Sequence, residues 1–99
     1  MALAEVTIVP LGTGSTSVSK YVADCHRVLL DEKRVQYQLT PMGTIMEGDL
    51  DVLLELIRRM HEVPFESGAE RVSTSIKIDD RRDKKGTMEQ KMKSVTDKL

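Results

Sequence analysis

The chain has 99 residues, of which 39% are hydrophobic, and its 15 basic and 16 acidic side chains leave a formal net charge of −1. This length suits one domain with a single modest core, and the balanced charge provides no global field for nucleic acid or an anionic membrane. No apolar run approaches the ~20 residues that cross a bilayer, nothing resembles a secretory signal, and the one cysteine cannot form an intramolecular disulfide. We therefore expect a soluble, cytoplasmic protein without nucleic-acid or membrane partners.

The first predicted elements are a strand and a helix. Residues 4–9 alternate apolar and polar side chains and are rich in β-branched residues, which predicts a strand that ends at Pro10. Residues 15–17 (Ser-Thr-Ser) are each suited to cap the helix that follows. The helix itself is predicted by an apolar stripe with steps of three and four residues. The stripe consists of Val18, Tyr21, Val22, Cys25, Val28 and Leu29.

A predicted hairpin and a second helix come next. Strands over 35–39 and 43–47 are joined by turn residues that include Pro41 and a glycine. The second helix begins at Asp49 and is expected to end at Pro64, with two arginines in its last turn that complement the helix dipole. Its predicted inward stripe is Leu50, Leu53, Leu54, Ile57 and Met60.

The last strand completes a recognisable order of elements. Residues 71–78 alternate strictly, which predicts a strand with its apolar side chains on one face. The order β-α-β-β-α-β is that of the ferredoxin-like α+β sandwich, in which two helices cover one face of a four-stranded antiparallel sheet. The other face is predicted to be polar and partly covered by another subunit. Its predicted side chains are Gln36, Gln38, Ser73, Ser75 and Lys77.

A short helix is predicted at the C-terminal end. Thr87 and Gln90 have the spacing of a capping box, and apolar residues follow at helical intervals. A helix this short is marginal in water, so we expect it to dock. The predicted organisation is one domain, with a core at 1–80, a link at 81–86 and a C-terminal helix at 87–99. The charges of residues 79–85 nearly cancel, which favours a solvated ion-pair network over a nucleic-acid patch.

The hairpin also carries the most suggestive side chains. Thr44 provides a hydroxyl, Tyr37 a phenol, Met42 and Met46 polarisable sulfurs, and Glu47 a carboxylate. If they converge at the end of the sheet, they form a small-molecule site with too few proton-transfer groups for an obvious enzyme. A surface acid at the end of a strand is the plainer interpretation of Glu47, and the two interpretations stay open.

Other candidate sites carry weaker signals. A Gly-Thr-Gly-Ser sequence at 12–15 before a helix resembles a phosphate-binding loop, but an ordinary loop and cap is favoured because neither the Walker nor the dinucleotide pattern is complete. Cys25 is expected to be a buried structural thiol, because no histidine is placed to ionise it. One cysteine with His26 and His61 does not provide the ligand count of a metal site, so none is predicted.

Five segments along the chain form a distinctive combination. They are residues 9–15 (VPLGTGS), 19–23 (SKYVA), 37–44 (YQLTPMGT) with 47–48 (EG), 73–79 (STSIKID) and 80–83 (DRRD). Together they resemble the thiamine-binding protein family, small ferredoxin-like proteins formerly grouped as an uncharacterised conserved family. The resemblance covers essentially the whole chain.

The resemblance implies a homodimer or homotetramer whose sheets pair edge to edge. It also implies that thiamine, or its hydroxymethylpyrimidine portion, binds as a ligand without turnover, so that no catalytic residue and no further cofactor is expected. Glu47 would serve the amino group or the cationic ring, and Thr44 and Ser15 would complete hydrogen bonds. The implied ligand-binding residues are Leu11, Gly12, Ser15, Tyr37, Met42, Thr44, Met46 and Glu47.

Two alternatives belong to other functional classes. The first is a structural or regulatory oligomer that binds an unrelated anion or metabolite, which an anion bound at residues 12–15 beside an exposed, unpaired Glu47 would favour. The second is an enzyme that uses Cys25 or His61, which is the weakest because no base is paired with a nucleophile.

Overall fold

The elements follow the order β-α-β-β-α-β and end with a third helix in a computed structural model that describes residues 1–83 and 87–99. The strands are β1 (Ala2–Leu11), β2 (Gln36–Thr40), β3 (Gly43–Gly48) and β4 (Arg71–Asp80). The helices are α1 (Ser19–Leu30), α2 (Leu50–Glu66) and α3 (Met88–Thr96). None of the helices in the described ranges is long and apolar enough to span a bilayer.

The four strands form one antiparallel sheet in the order β2-β3-β1-β4. The register places Val6 of β1 opposite Thr44 of β3 on one side and opposite Ile76 of β4 on the other. The side chains of one sheet face pack with those of α1 and α2, which confirms the predicted ferredoxin-like α+β fold. The buried core consists of Ala2, Ala4, Val6, Cys25, Leu29, Val35, Met46, Leu53, Leu56, Ile57 and Met60.

β1 is longer than its sequence pattern predicted and continues through Pro10 to Leu11. Its pairing with β3 reaches only as far as Val6, whereas its pairing with β4 extends to Leu11. At Pro10 the strand therefore has a partner on one side only. A proline lacks the N–H of a ladder bond and is tolerated where one edge of a strand is free.

The predicted cap of α1 is wrong. The N-cap residue is Val18, and its side chain makes no capping hydrogen bond. The hydroxyl of Ser15 accepts a hydrogen bond from the N–H of Ser17 at 3.1 Å instead. The serines before the helix thus stabilise a turn in the loop, because hydroxyl groups compete for nearby backbone donors.

α2 continues past Pro64 to Glu66, so the predicted end of this helix is wrong and its arginines lie in the interior. A proline has no N–H to donate to the carbonyl four residues earlier, here that of Met60. The thiol of Cys25 donates to that Met60 carbonyl at 3.5 Å. The inward stripe also differs, because Leu56 is fully buried while Leu54 is 42% exposed.

β4 is an edge strand, and its apolar side chains are less covered than the alternation predicted. Ile76 and Ile78 are 46% and 42% exposed, although they share a face with buried Val6 and Ala4 of β1. α2 contacts β4 at Thr74, whose hydroxyl is hydrogen-bonded to His61, but it leaves Ile76 and Ile78 partly uncovered.

α3 begins with the predicted capping box. The hydroxyl of Thr87 accepts from the N–H of Gln90 at 3.1 Å, and the Gln90 side chain accepts from the N–H of Thr87 at 3.2 Å. α3 buries none of its residues. Ion pairs join Arg81 to Asp83, Arg82 to Asp80 and Lys91 to Asp79. The rest of the predicted charged network, at residues 84–85, lies outside the described residues.

Candidate functional site

The predicted convergence of side chains on the hairpin does not occur. Tyr37 pairs with Met46, whereas Glu47 pairs with Gln36, the residue before Tyr37. Successive residues of a strand point to opposite faces, so residues three apart, such as Thr44 and Glu47, cannot share one. Thr44 and Met46 face the helices, and Glu47 faces the opposite side of the sheet. The predicted ligand set therefore divides between two places.

A cavity of about 230 Å³, here called the hairpin cavity, lies between the tip of the β2–β3 hairpin, β1 and α1. Among the described residues, none of the side chains that line it carries a charge, and most are apolar. Of the predicted ligand residues, Met42 and Thr44 line it. The complete lining is Val6, Thr7, Ile8, Val9, Val18, Val22, Cys25, Leu39, Thr40, Pro41, Met42, Gly43, Thr44 and Met60.

Threonine hydroxyls supply the polar side-chain groups of the hairpin cavity besides the thiol. Thr7 Oγ1 donates to the Met42 carbonyl at 2.9 Å, and Thr40 Oγ1 donates to the Gly43 carbonyl at 2.8 Å. These bonds fix the turn against β1. Thr44 is only 6% exposed, and its hydroxyl has no hydrogen-bond partner within the described part of the chain. It is therefore the hydroxyl in this cavity that is available to a ligand.

Gly43 allows the hairpin to lie this close to β1. A Cβ atom at this position would lie 2.8 Å from both the Val6 carbonyl oxygen and Thr7 Oγ1. The carbonyl belongs to the backbone of a central strand and cannot move away cheaply. The wall of the cavity therefore depends on a residue without a side chain.

The loop at residues 12–18 borders the hairpin cavity without contributing its predicted residues. Leu11, Gly12 and Ser15 are exposed and none of them lines the cavity, although Val9 and Val18 on either side do. Two loop hydroxyls are engaged internally, since Thr13 Oγ1 donates to the Ser15 carbonyl at 3.2 Å and Ser15 accepts from Ser17. These internal bonds favour the plain loop interpretation over an anion-binding loop.

Met46 and Tyr37 pack in and around the core. Met46 is fully buried beneath the helices. The ring of Tyr37 is half-buried and makes an edge-to-face contact with His26, with the ring centroids 5.2 Å apart. Neither residue lines the hairpin cavity, so each has a packing role in this arrangement.

Glu47 is buried, with 7% exposure, on the sheet face opposite α1 and α2. Its Oε2 accepts a hydrogen bond of 2.7 Å from the N–H of Met88, the first residue of α3. It also lines a second cavity of about 460 Å³, here called the sheet-face cavity. The residues that line this cavity are Gln36, Gln38, Glu47, Thr87, Met88, Glu89 and Met92.

Cys25 and His61, the candidate nucleophile and base, are each accounted for by the structure around them. Burial, reinforced by the negative charge of Asp24, raises the pKa of the Cys25 thiol to about 11, so the thiol is neutral at physiological pH. The imidazole of His61 is hydrogen-bonded through Nδ1 to the Thr74 hydroxyl at 2.6 Å. Within residues 1–83 and 87–99, no three histidine, cysteine or acidic side chains are grouped to hold a metal ion.

Sequence reasoning missed the contribution of β1 and α1 to the hairpin cavity. Thr7, Val18 and Val22 were assigned to a strand and a helix stripe with no functional role. The register of β1 against the hairpin would have indicated them, because it places residues 7 and 8 beside the turn. That register depends on long-range pairing, which the local pattern does not contain.

Comparison with known proteins agrees with this fold and identifies the family. The sequence model of the thiamine-binding protein family matches residues 4–96. The chain belongs to this family. It is 52% identical over 102 residues to the UPF0045 protein YqgV of Bacillus subtilis, covering 100% of this chain and 98% of that protein. It is 44% identical over 100 residues to a UPF0045 protein of Methanothermobacter thermautotrophicus, covering 100% of both.

Solved structures of similar proteins show the same architecture. The hypothetical protein MJ1052 of Methanocaldococcus jannaschii is 39% identical and superposes with a TM-score of 0.86, covering 96% of this chain and 95% of that one. A Thermotoga maritima protein described as a putative thiamine biosynthesis/salvage protein superposes with a TM-score of 0.77 at 16% identity, covering 95% and 97%. At that identity the second likeness concerns the fold alone.

Proposed function

We propose that the protein binds thiamine, or a hydroxymethylpyrimidine-like portion of it, in the hairpin cavity and releases it unchanged. The observation that carries this proposal is a concave cavity, uncharged within the described residues, in which the hydroxyl of Thr44 has no protein partner among those residues. Ligand sites are typically apolar cavities with a few polar groups that fix orientation. Membership of the thiamine-binding family supports the choice of ligand.

The size and chemistry of the hairpin cavity favour one ring over the whole vitamin. Its volume of about 230 Å³ is below the roughly 300–1,000 Å³ of sites for drug-sized ligands. A neutral aminopyrimidine could stack against the apolar walls and exchange hydrogen bonds with Thr44. The cationic thiazolium ring of thiamine would find no carboxylate there, so we place it at the mouth, towards residues 12–18.

We propose that the hairpin cavity binds its ligand without catalysis. Cys25 is the one nucleophilic thiol among the lining residues, and burial keeps it protonated. In the part of the chain that the structure describes, no histidine or carboxylate lines the cavity to act as a general base. The same cavity that suits a neutral ring is thus poorly equipped to transform it.

Calorimetric titration with thiamine and with hydroxymethylpyrimidine tests the ligand and the site together. Thr44→Val keeps the shape of the side chain and removes the hydroxyl, so we expect about three- to tenfold weaker binding. Val22→Trp should fill the cavity and abolish binding, with circular dichroism as the check on folding. Glu47→Gln is the matched control on the opposite face and should bind as the wild type does.

Two results would overturn this proposal. The absence of heat from either ligand at millimolar concentration would remove thiamine-related binding altogether. Wild-type affinity in Thr44→Val and Val22→Trp, together with loss in Glu47→Gln, would move the ligand to the sheet-face cavity.

We further propose that the protein is a homo-oligomer that pairs through β4. This strand presents an edge of ten residues with no partner strand among the described elements, and it exposes Ile76 and Ile78. Long edges with exposed apolar side chains are templates for pairing with a second copy. Light scattering after size exclusion should give a dimer or tetramer for the wild type and a smaller species for Ile78→Lys. A monomeric wild type would contradict the proposal.

A further inference from the structure

Glu47 is 7% exposed, and its carboxylate has one protein donor. Oε2 accepts the N–H of Met88, while Oε1 has no hydrogen-bond partner within residues 1–83 and 87–99. A carboxylate has about four acceptor sites. A single backbone donor therefore leaves Glu47 able to accept further hydrogen bonds from a bound molecule.

The space next to Glu47 is large enough for such a molecule. The sheet-face cavity measures about 460 Å³, within the roughly 300–1,000 Å³ of small-molecule sites. The amides of Gln36 and Gln38 line one side, and the side chains of Met88 and Met92 line the other. Glu89 is a second acid in the lining, and none of the lining residues within 1–83 and 87–99 is basic. These described side chains carry negative charge, which favours a cation.

We propose that the sheet-face cavity binds small primary alkylammonium compounds and prefers diamines. An ammonium group acts as a point charge with three donors, which suits the single free oxygen of Glu47. A guanidinium normally uses both oxygens of a carboxylate, and here one is occupied by Met88. The methionines can cover the alkyl stem, and Glu89 can receive a second ammonium.

An organic cation fits this cavity better than a metal ion. Two carboxylates line it within residues 1–83 and 87–99, and no grouping of three potential metal-ligating side chains occurs in the same ranges. Ca²⁺ needs six to eight oxygen ligands. This site is separate from the hairpin cavity and does not depend on thiamine binding.

Occupation of the cavity should also order α3. The helix buries none of its residues, and its first N–H is held by Glu47. A ligand that contacts Glu47 on the sheet and Met92 on the helix would join the two. We therefore expect slower amide hydrogen exchange across 88–96 when the ligand is present.

The test is calorimetry and amide NMR with 1,4-diaminobutane, n-butylamine and 1,4-butanediol. We expect binding in that order of affinity, no binding of the diol, and the largest shift at the amide of Met88. Glu47→Gln should weaken diamine binding by about tenfold to a hundredfold. Glu89→Gln should leave butylamine binding unchanged and remove the preference for the diamine. Glu5→Gln is the control, because Glu5 is an exposed acid on the same face outside the cavity.

Several results would overturn the inference. They are equal binding of the diol, equal affinity in Glu47→Gln and wild type, or amide shifts spread over the acidic surface without a focus at Met88. If Glu47→Gln releases α3, the variant Met92→Lys decides the matter, because it leaves both partners of the Met88–Glu47 bond in place and puts a competing ammonium group in the cavity. Undiminished diamine binding in Met92→Lys would also reject the site.

Discussion

On the helix-covered face of the sheet, Ala4, Val6 and Met46 are at most 2% exposed, whereas on the opposite face Leu3 and Ile45 remain partly exposed. The first face is covered by two helices of 12 and 17 residues that bury apolar side chains. The second is approached by α3, which buries none. One face is held by the hydrophobic effect, and the contacts of the other are mainly polar.

This difference means that the two faces contribute unequally to the free energy of folding. Apolar burial supplies most of the free energy of folding, and hydrogen bonds contribute less once the competition with water is included. We therefore expect α3 to open at a lower free energy than the helix-covered face. The following predictions test that contrast, from the largest expected effect to the smallest.

The largest effect should come from removing a core side chain on the helix-covered face. Leu53 is fully buried, while its neighbour Leu54 is 42% exposed. Leu53→Ala should lower the free energy of unfolding by about 2–5 kcal/mol, through lost burial and the cavity that remains. Leu54→Ala is the matched control and should cost less than about 1 kcal/mol. Urea denaturation measures both, and equal losses would contradict the assigned face of α2.

Cys25 should be shielded by the same layer. Its pKa is raised from 9.0 to about 11 by burial, so its thiolate fraction near pH 8 is about a hundredfold lower than that of a free thiol. A disulfide reagent should therefore react much more slowly with Cys25 than with a cysteine introduced on the open face by Ser75→Cys in a Cys25→Ala background. Comparable rates would contradict the burial.

The raised pKa of Cys25 also predicts the sign of a pH effect. Between pH 9.0 and about 11 the unfolded thiol ionises while the folded thiol keeps its proton, so its contribution to stability is lost as pH rises through this window. The Cys25→Ala variant should show a shallower loss of stability over the same range. Identical pH profiles for the two proteins would show that the thiol titrates alike in both states.

The smallest effect should come from the cap of α3. Thr87→Ala removes the side-chain acceptor for the N–H of Gln90, and such caps contribute about 1 kcal/mol. Hydrogen exchange should accelerate in α3 and stay unchanged in α2. Ser94→Ala, at an exposed position within α3, is the control and should not accelerate it. Faster exchange in both helices would mean that the two faces unfold together.

The existence and order of the core elements could be predicted from local patterns. The alternation of β4 and the capping box of Thr87 and Gln90 each depend on residues that lie close together in the sequence. The end of α2 could not be predicted, because the Met60 carbonyl freed by Pro64 finds a donor in Cys25, 35 residues away. The choice between Leu54 and Leu56 was also open, since both are compatible with helical spacing and only packing decides it.

The candidate site was predicted in composition but not in arrangement. Thr44 and Glu47 were both selected as ligand residues, and the alternation of β3 already implies that they face apart. The surroundings of each side chain are decided by tertiary contacts. Thr44 faces the hairpin cavity because Gly43 lets the turn lie against β1, and Glu47 is buried because α3 returns to it across 41 residues of sequence.

The sequence by itself determined the ferredoxin-like order of elements, because hydrophobic period and turn residues are local properties, and its five distinctive segments indicated the family. The tertiary structure decided which face each functional side chain occupies and which cavity it lines. The physical reason is that burial, register and hydrogen-bond partners arise from contacts between distant segments. The sequence indicates only that Glu47 is an acid at the end of a strand. It becomes a buried hydrogen-bond acceptor because α3 places Met88 against it.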